Sequence, residues 1–319
     1  MFEWGQRTYV MGIINATPDS FSGDGVAREN VARENVARES LARESVARES
    51  VAQVSTEEVV ARAVAQARRF LGDGADILDV GGESTRPGSV PVTAEEELAR
   101  VVPVIRALRA AVGEATISVD TYRAAVAEAA LDAGADWIND VWGLRMDPDM
   151  APLAAARGCP VVIMHNRSKP KDVAQEQRLG GRYVGIHYEE LMADIARELS
   201  EQMAIAAAAG VRAEQIILDP GIGFGKTVAQ NFSLLARQRE LLAAGWPLLV
   251  GWSRKSSIGA ALQGDAPAPP PPAERVLGSV AAALLAVERG ARIVRVHDVR
   301  ETVQALAVWR LARQTLLKS

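Results

Sequence analysis

The stretch QIILDPGIGFGKT, residues 215–227, shows the pattern that decides the fold: a short apolar run closed by Asp219 and followed by a glycine-rich turn. Seven further runs of this kind lie between residues 9 and 297 and end at Asn15, Arg86, Asp120, Asn139, His165, Lys255 and His297. Buried strands of a parallel sheet read as near-continuous Val, Ile and Leu runs. In an eight-stranded α/β barrel the carboxyl ends of the strands form one face, where active sites are built. The polar run ends therefore predict an enzyme with its site at a barrel mouth.

Glycines and helix caps between the runs support the same architecture. Most runs follow a helix-like Ala/Leu/Arg segment and a glycine suited to end it, at Gly74, Gly134, Gly158, Gly210, Gly245 and Gly290. Ser55 with Glu58 and Thr93 with Glu96 have capping-box spacing. Within residues 56–71, one helical face carries Val59, Ala63, Ala67 and Phe70. We expect an α/β fold, a (β/α)8 TIM barrel forming a single domain over residues 1–319. The competing architecture is a doubly wound open sheet, which gathers ligand groups at one switch point.

Composition narrows the class of protein. The chain has 319 residues, 48% of them hydrophobic, which is enough for one large core. A net charge of −4 and a pI near 5.6 argue against a nucleic acid or an anionic membrane as partner. The single cysteine, Cys159, excludes an internal disulfide and is expected to be a buried, inert thiol. Because no signal-peptide core or membrane-length apolar stretch is present, we expect a soluble, cytoplasmic protein.

Two segments stand outside the strand–helix pattern. Residues 26–55 form six tandem pentads of the type VARES, inserted in the first strand–helix loop. A five-residue period spirals around a helix instead of forming an apolar stripe, so we expect a solvated, partly helical or disordered excursion. A coiled-coil partner helix is the less favoured alternative. The segment APAPPPP, residues 266–272, is expected to be a stiff surface connector.

Two loops carry side chains suited to binding small molecules. Residues 11–25, MGIINATPDSFSGDG, place Phe21 between Ser residues and close to Gly residues, after the strand ending at Asn15. Turn formation with Asp19 as a helix cap is the alternative for this motif. Residues 81–89, GGESTRPGS, offer Thr85 and Arg86 as donors to an anion, although Arg86 could be a plain surface cation.

The remaining strand ends combine carboxylates, an amide and cations. Asp120, Asn139 and Asp219 could recognise a heterocycle rich in N–H groups, or could each cap the following helix. Lys255 could contact a ring carbonyl or an anion, and a Schiff base is the sharper alternative. Phe224 could line a ligand pocket or belong to the core. Arg295 and His297 lie two residues apart on one strand, so both face the same side and suit a phosphate group, although a core histidine is the alternative.

Taken together, these motifs resemble those of the dihydropteroate synthases. The resemblance runs from about residue 8 to residue 309, apart from the pentads. It is carried by INATPDSFS, DVGGESTRPG, SVDTYR, WINDV, ILDPGIGFGK, GWSRKSSIG and RVHDV. It implies a pterin-binding barrel that condenses 6-hydroxymethyl-7,8-dihydropterin pyrophosphate with 4-aminobenzoate, giving 7,8-dihydropteroate and pyrophosphate for folate biosynthesis. It also implies Mg2+ as cofactor, a homodimer packed through barrel helices, and a target of sulfonamides.

The resemblance also implies residue roles. The pterin would be held by Asp120, Asn139, Met164, Asp219, Phe224 and Lys255. The groups implied in catalysis are Asp219, Lys255 and Asp120. The pyrophosphate would be held by Asn15, Thr85, Arg295 and His297. The aminobenzoate would lie among Phe21, Arg86, Pro87 and Ser253, and the metal near Asn15 and Asp24.

This chain departs from the family pattern in two loops. The first loop usually reads SFSDGG, whereas this chain has SFSGDG, which moves the loop carboxylate to Asp24. After the fifth run the chain reads MHNRSKP, where the family more often has Met-His-Met. Two other functions stay open: a methyltetrahydrofolate methyltransferase domain, which needs no pyrophosphate-binding residues, and a non-catalytic paralogue that binds pterin without turnover.

Overall fold

The computed structural model describes residues 2–5, 7–17, 55–83, 92–171, 175–176, 179 and 186–316. These residues form eight strands, β1–β8: Tyr9–Asn15, Ile77–Gly81, Thr116–Asp120, Trp137–Asp140, Val161–Met164, Ile216–Asp219, Leu249–Val250 and Ile293–Val296. All pair in parallel, in the order β6-β5-β4-β3-β2-β1-β8-β7. A parallel bridge between Leu218 and Leu248 joins the two outer strands. The sheet is thus a nearly closed barrel, which confirms the predicted architecture over the open sheet.

The described residues also form nine α-helices, α1–α9: one follows each strand, except that two follow β7. Their bounds are Thr56–Gly72, Ala94–Val112, Ala124–Asp132, Met150–Arg157, Leu191–Ala208, Val228–Arg237, Ser256–Leu262, Val276–Glu288 and Val299–Leu316. Short 3-10 segments cover Ala213–Gln215, Gln238–Ala244 and Pro272–Arg275. No helix in the described part of the chain is both long and apolar enough to cross a bilayer.

The helix ends follow the predicted local rules. Ser55 accepts a hydrogen bond from the N–H of Glu58, and Thr93 forms a full capping box with Glu96. The predicted apolar face of α1 is buried: Val59, Ala63, Ala67 and Phe70. The six glycines before the strands all have φ between 64° and 112°. Since side chains disfavour that conformation, glycine is the residue that ends these helices at low cost.

Side chains inside the barrel form an apolar layer at the amino ends of the strands. The layer consists of Tyr9, Met11, Ile77, Trp137, Val162, Ile217, Leu249 and Ile293, all nearly fully buried. Phe2 closes this end with its ring centroid 4.7 Å from those of Tyr9 and Trp137. The intervening strand residues, such as Val10 and Leu78, pack outward against the helices. Because the apolar layer fills the amino end, polar groups can gather only toward the carboxyl ends.

The apolar runs extend past some strands. β2 ends at Gly81 and β7 at Val250, so Lys255 lies in the loop after β7. Arg86 lies outside the described residues, as do the pentads up to residue 54.

In the proline-rich connector the carbonyl of Pro270 accepts a 2.8 Å hydrogen bond from Nε of Arg275, which ties the connector to the segment that follows it.

Candidate active site

The carboxyl ends of β1–β4 bring four residues into one row. Asn15 pairs in register with Gly81, Gly81 with Asp120, and Asp120 with Asn139. On the opposite side Met164 pairs with Asp219. Strand register alone therefore places five of the predicted site residues at the mouth of the barrel.

Arg295 crosses the interior of the mouth from β8. Its Nε donates to Asp79 at 2.6 Å and its Nη2 donates to Asp120 at 2.6 Å. The side-chain amide of Asn139 donates to the same oxygen of Asp79 at 3.1 Å. The guanidinium thus binds two carboxylates, one of which also accepts from an amide, so β8 is linked to three other strands. Asp79 was not predicted from the sequence, although a carboxylate inside the apolar run ILDV is an available signal, since a buried charge needs a partner.

This group of charges is shaped by its burial. Burial raises the pKa of Asp120 to about 7, with Arg295 acting to lower it and the neighbouring Asp79 to raise it further. The pKa of Arg295 is raised by the two carboxylates despite its own burial. The second oxygen of Asp79, Oδ1, is buried and has no hydrogen-bond partner within the described residues. Two carboxylates that share one cation hold an excess negative charge suited to N–H donors of a ligand.

Asp219 and Lys255 form a second polar group. Asp219 is buried and accepts a 2.7 Å hydrogen bond from the N–H of Gly221, while burial raises the pKa of its carboxyl. Nζ of Lys255 donates to the carbonyl of Ile222 and lies 4.2 Å from the ring centroid of Phe224. Burial lowers the pKa of Lys255 to about 8, against the attraction of Asp219. Lys255 is therefore a cation held against an aromatic face, where it can meet a ring carbonyl or an anion.

The loop after β6 is clamped from beneath by Lys226. Its Nζ donates to the carbonyls of Gly221 at 3.0 Å and Phe224 at 3.2 Å, and lies 2.9 Å from Nδ1 of His165. Burial lowers the pKa of Lys226 to about 7. Gly221 has φ 69°, and a Cβ there would stand 1.8 Å from the carbonyl oxygen of His165. The loop between Asp219 and Phe224 is thus held closely against the end of β5.

His165 differs from the expectation that it faces the mouth. Its side chain is 1% exposed, and Nε2 lies 3.1 Å from Glu198 on α5. Burial, with Lys226 beside it, lowers the pKa of His165 to about 3, so it stays neutral. Side chains alternate along a strand, and Met164 faces the mouth, so the next residue turns outward.

Ser253 and His297 lie together on the remaining side of the mouth. The Oγ of Ser253 accepts from the N–H of His297 at 3.1 Å and lies 3.0 Å from its Nδ1. Five further predicted site residues lie outside the described residues: Phe21, Asp24, Thr85, Arg86 and Pro87.

One wall of the mouth is apolar. Met164 and Phe224 pack with Tyr122, Val141, Trp142 and Met146 in a cluster separate from the main core. Of these residues, only Met164 and Phe224 were predicted to line a pocket. An apolar wall beside buried carboxylates suits a polar aromatic ring, because the wall can cover one face of the ring and the acids meet its N–H edge.

Glu83, two residues after the end of β2, has a side chain that is only 4% exposed, and it was also not predicted. It accepts from Arg123 at 2.8 Å, from Tyr122 at 3.1 Å and from Lys171 at 2.7 Å. These partners come from the loops after β3 and β5, so Glu83 ties three loops of the rim together. The letters GGESTRPGS gave no indication of this role, because its partners are distant in sequence.

Comparison with known proteins agrees with this geometry. Residues 43–297 match the family described as pterin binding enzyme. The chain is 41% identical over 314 residues to the dihydropteroate synthase of Synechocystis sp., covering 97% of this chain and 93% of that protein. It resembles the crystal structure of dihydropteroate synthase from Clostridium difficile in the presence of pteroic acid, with a TM-score of 0.77, 38% identity and 97% of both chains covered. For the Xanthomonas albilineans dihydropteroate synthase with 4-aminobenzoic acid, the TM-score is 0.76, the identity 40% and the coverage 97% and 94%.

Proposed function

The chain belongs to the dihydropteroate synthases of the pterin-binding enzyme family, and from this premise we propose how its barrel mouth works. The reaction is the condensation of 6-hydroxymethyl-7,8-dihydropterin pyrophosphate with 4-aminobenzoate, giving 7,8-dihydropteroate and pyrophosphate. The observation that carries the assignment of roles is the fork of Arg295 between Asp79 and Asp120, beside the apolar wall. In this arrangement, carboxylates that can accept hydrogen bonds from a heterocycle lie beside a cation that can bind an anionic leaving group.

The pterin ring is proposed to lie against Met164 and Phe224. Asp219, Asp120 and Asn139 would accept from or donate to its polar edge, and Lys255 would meet its carbonyl oxygen. Asp219 and Asn139 are buried, and burial raises the pKa of Asp120. These observations support the proposal, because buried carboxylates and amides have further donor and acceptor positions, and a ring that bonds to these lowers the cost of their burial.

The pyrophosphate is proposed to lie on the β1 and β8 side of the mouth. Arg295 uses two of its five N–H donors on carboxylates and keeps the others for phosphate oxygens. His297, Asn15 and Thr85 would complete this site. The aminobenzoate would approach past Ser253, with Phe21, Arg86 and Pro87 from the two loops around it. A sulfonamide is then expected to compete with aminobenzoate.

The chemistry needs positioned charge more than a strong base. The amine nitrogen of aminobenzoate attacks the pterin methylene carbon as the carbon–oxygen bond to pyrophosphate breaks, and the amine loses its proton. Cations at the bridging oxygen stabilise the charge that develops on the leaving group. Asp219 would stabilise positive charge spread into the pterin ring. The arylamine is neutral at pH 7, so holding it in line contributes most of the remaining acceleration.

Mg2+ is proposed as the cofactor. The described residues contain no group of three or more His, Cys, Asp or Glu side chains that could enclose a metal ion. Mg2+ does not need such a group, since it is usually bound by substrate phosphates and water together with one or two protein oxygens. Asn15 at the end of β1 offers one, and Asp24 would offer a second. When bound, the ion would neutralise charge on the pyrophosphate.

We propose a cytoplasmic homodimer. Four side chains on the neighbouring helices α8 and α9 expose large apolar surface: Leu277 at 84%, Leu285 at 42%, Val308 at 73% and Leu311 at 68%. Exposed apolar residues of this size on neighbouring helices indicate a contact surface, and a second copy would bury them symmetrically.

The test is pyrophosphate release by the purified protein with dihydropterin pyrophosphate, 4-aminobenzoate and Mg2+, each omitted in turn. Release that needs both organic substrates establishes the synthase. Lys255→Ala and Asp219→Ala are expected to abolish release while leaving the fold intact, and Arg237→Gln, at the exposed end of α6, should leave it unchanged. Binding of dihydropterin pyrophosphate without any release would instead indicate the non-catalytic paralogue.

A further inference from the structure

Arg254 has an unusual backbone conformation between two site residues. In the described part of the chain, Leu144 and Arg254 are the non-glycine residues with φ in the left-handed region, and Arg254 has φ 58°. Leu144 is held by its N–H, which donates to Asp140 at 2.7 Å. Non-glycine residues keep this conformation only where the surroundings enforce it, and such positions cluster at functional sites.

The surroundings of Arg254 enforce it from three directions. Its guanidinium forms a two-point ion pair with Asp298, Nε to Oδ2 at 3.0 Å and Nη2 to Oδ1 at 2.5 Å. Its N–H donates to Ser279 on α8 at 2.8 Å, and its carbonyl accepts from Arg275 at 3.1 Å. The loop after β7 is therefore attached to both α8 and the loop after β8.

The neighbours of this ion pair are the proposed substrate-binding residues. Ser253 precedes Arg254 and Lys255 follows it, while His297 precedes Asp298. The ion pair therefore closes a ring with the contact between Ser253 and His297, whose Oγ and Nδ1 are 3.0 Å apart. The side chain of Lys255 points away from these contacts, and its Nζ lies over the ring of Phe224.

We infer that Arg254 is a positioning residue: its ion pair with Asp298 sets Ser253 and His297 on one side and Lys255 on the other at the spacing that the two substrates need. This inference rests on the proposed function. Arg254 touches neither substrate in it. Its effect is transmitted through the backbone of the loop, because a residue in a left-handed conformation redirects the chain between its two neighbours.

The test compares Arg254→Gly, Arg254→Lys, Asp298→Asn and the double variant Arg254→Gly/Asp298→Asn. Glycine adopts the observed φ freely, so Arg254→Gly removes the ion pair without straining the loop. We expect kcat/KM to fall roughly tenfold to a hundredfold, since small misplacements of reacting groups have effects of that size. Arg254→Lys should recover part of this loss. The double variant should be no worse than the more affected single variant, as for two residues that act as one unit.

Arg237→Gln is the matched control. Arg237 makes a similar two-point ion pair with Glu240, at 2.7 and 2.8 Å, on an exposed helix end away from the mouth. It should change neither kcat/KM nor the substrate KM values. A purely structural role for Arg254 predicts a lower thermal midpoint with unchanged kinetics of the folded enzyme, and that result would overturn the inference, as would additive effects in the double variant.

A second readout is independent of turnover. The chain contains three histidines, so the imidazole resonances of His297 can be assigned in NMR spectra by single substitutions. Arg254→Gly should shift them and Arg237→Gln should not. If the wild-type protein releases no pyrophosphate but His297 still responds to Arg254→Gly, the proposed function fails and the positioning role stands. Unchanged His297 resonances in Arg254→Gly would overturn that role, whatever the activity.

Discussion

The loop after β6 makes a quantitative prediction through Gly221. This residue has φ 69°, and a Cβ there would stand 1.8 Å from the carbonyl oxygen of His165. The obstacle is backbone at the end of β5, which cannot rotate away as a side chain could. Gly221→Ala must therefore move the loop or the strand end by more than about 1 Å in a close-packed region.

Two costs add for this substitution. A side chain in the left-handed region costs about 1–2 kcal/mol, and forcing an extra carbon into a packed site costs about 1–3 kcal/mol more. The free energy of unfolding should thus fall by about 2–5 kcal/mol. Gly245→Ala is the matched control, because Gly245 has φ 84° but nothing lies within 4 Å of the position that a Cβ would take there. It should show only the first cost, about 1–2 kcal/mol.

The assay is urea unfolding of both variants followed by circular dichroism, with dihydropterin pyrophosphate affinity measured on the folded proteins. Gly221→Ala should also bind the pterin at least roughly tenfold more weakly, because Gly221 donates to Asp219 and its loop positions Phe224. Gly245→Ala should bind it like the wild type. Equal destabilisation by the two substitutions would refute the reasoning, since backbone conformation alone would then explain both.

Three further predictions concern charge, assembly and the pentads. Asp79→Asn removes a negative charge beside Asp120 and should therefore lower the pKa of Asp120, which is now about 7. The limb of the pH–rate profile that Asp120 sets should move to lower pH, and an unmoved limb would contradict this. Leu277→Glu with Val308→Glu should convert the dimer to monomer in analytical ultracentrifugation, and an unchanged sedimentation coefficient would place the interface elsewhere. Deleting residues 26–50 should leave the thermal midpoint almost unchanged, because their five-residue period provides no face to bury, and a large drop would show that they pack on the barrel.

The barrel could be predicted because its determinants are local. Strand runs, helix-ending glycines and caps each depend on a few neighbouring residues. Six glycines predicted from spacing alone have the conformation that ends a helix before a strand. The predicted buried face of α1 is likewise correct. The same local rules bring Asn15, Asp120 and Asn139 into one row, since parallel strands in register align their ends.

The partners of the site could not be predicted, because they depend on distances through space. Asp79 and Arg295 are 216 residues apart in sequence, and Glu83 and Lys171 are 88 apart. No short motif contains both members of either pair. His165 was mispredicted for a different reason. The end of its apolar run was predicted correctly, but successive side chains of a strand point to opposite sides, and this alternation was not taken into account. Counting from Met164, which packs in the apolar wall of the mouth, would have turned His165 outward.

Arg295 joins the two halves of the proposed reaction because of what holds it. Nε of Arg295 donates to the fully buried Asp79, and its Nη2 donates to Asp120 at the end of β3. A guanidinium fixed at two points cannot follow the pyrophosphate as it leaves, so its remaining donors stay directed at one place in the mouth. Charge that develops there is stabilised without rearrangement of the protein. The same bonds hold Asp120 toward the ring edge. A single buried carboxylate thus fixes both the ring site and the leaving-group site, which is why its removal should affect the pH profile and not only stability.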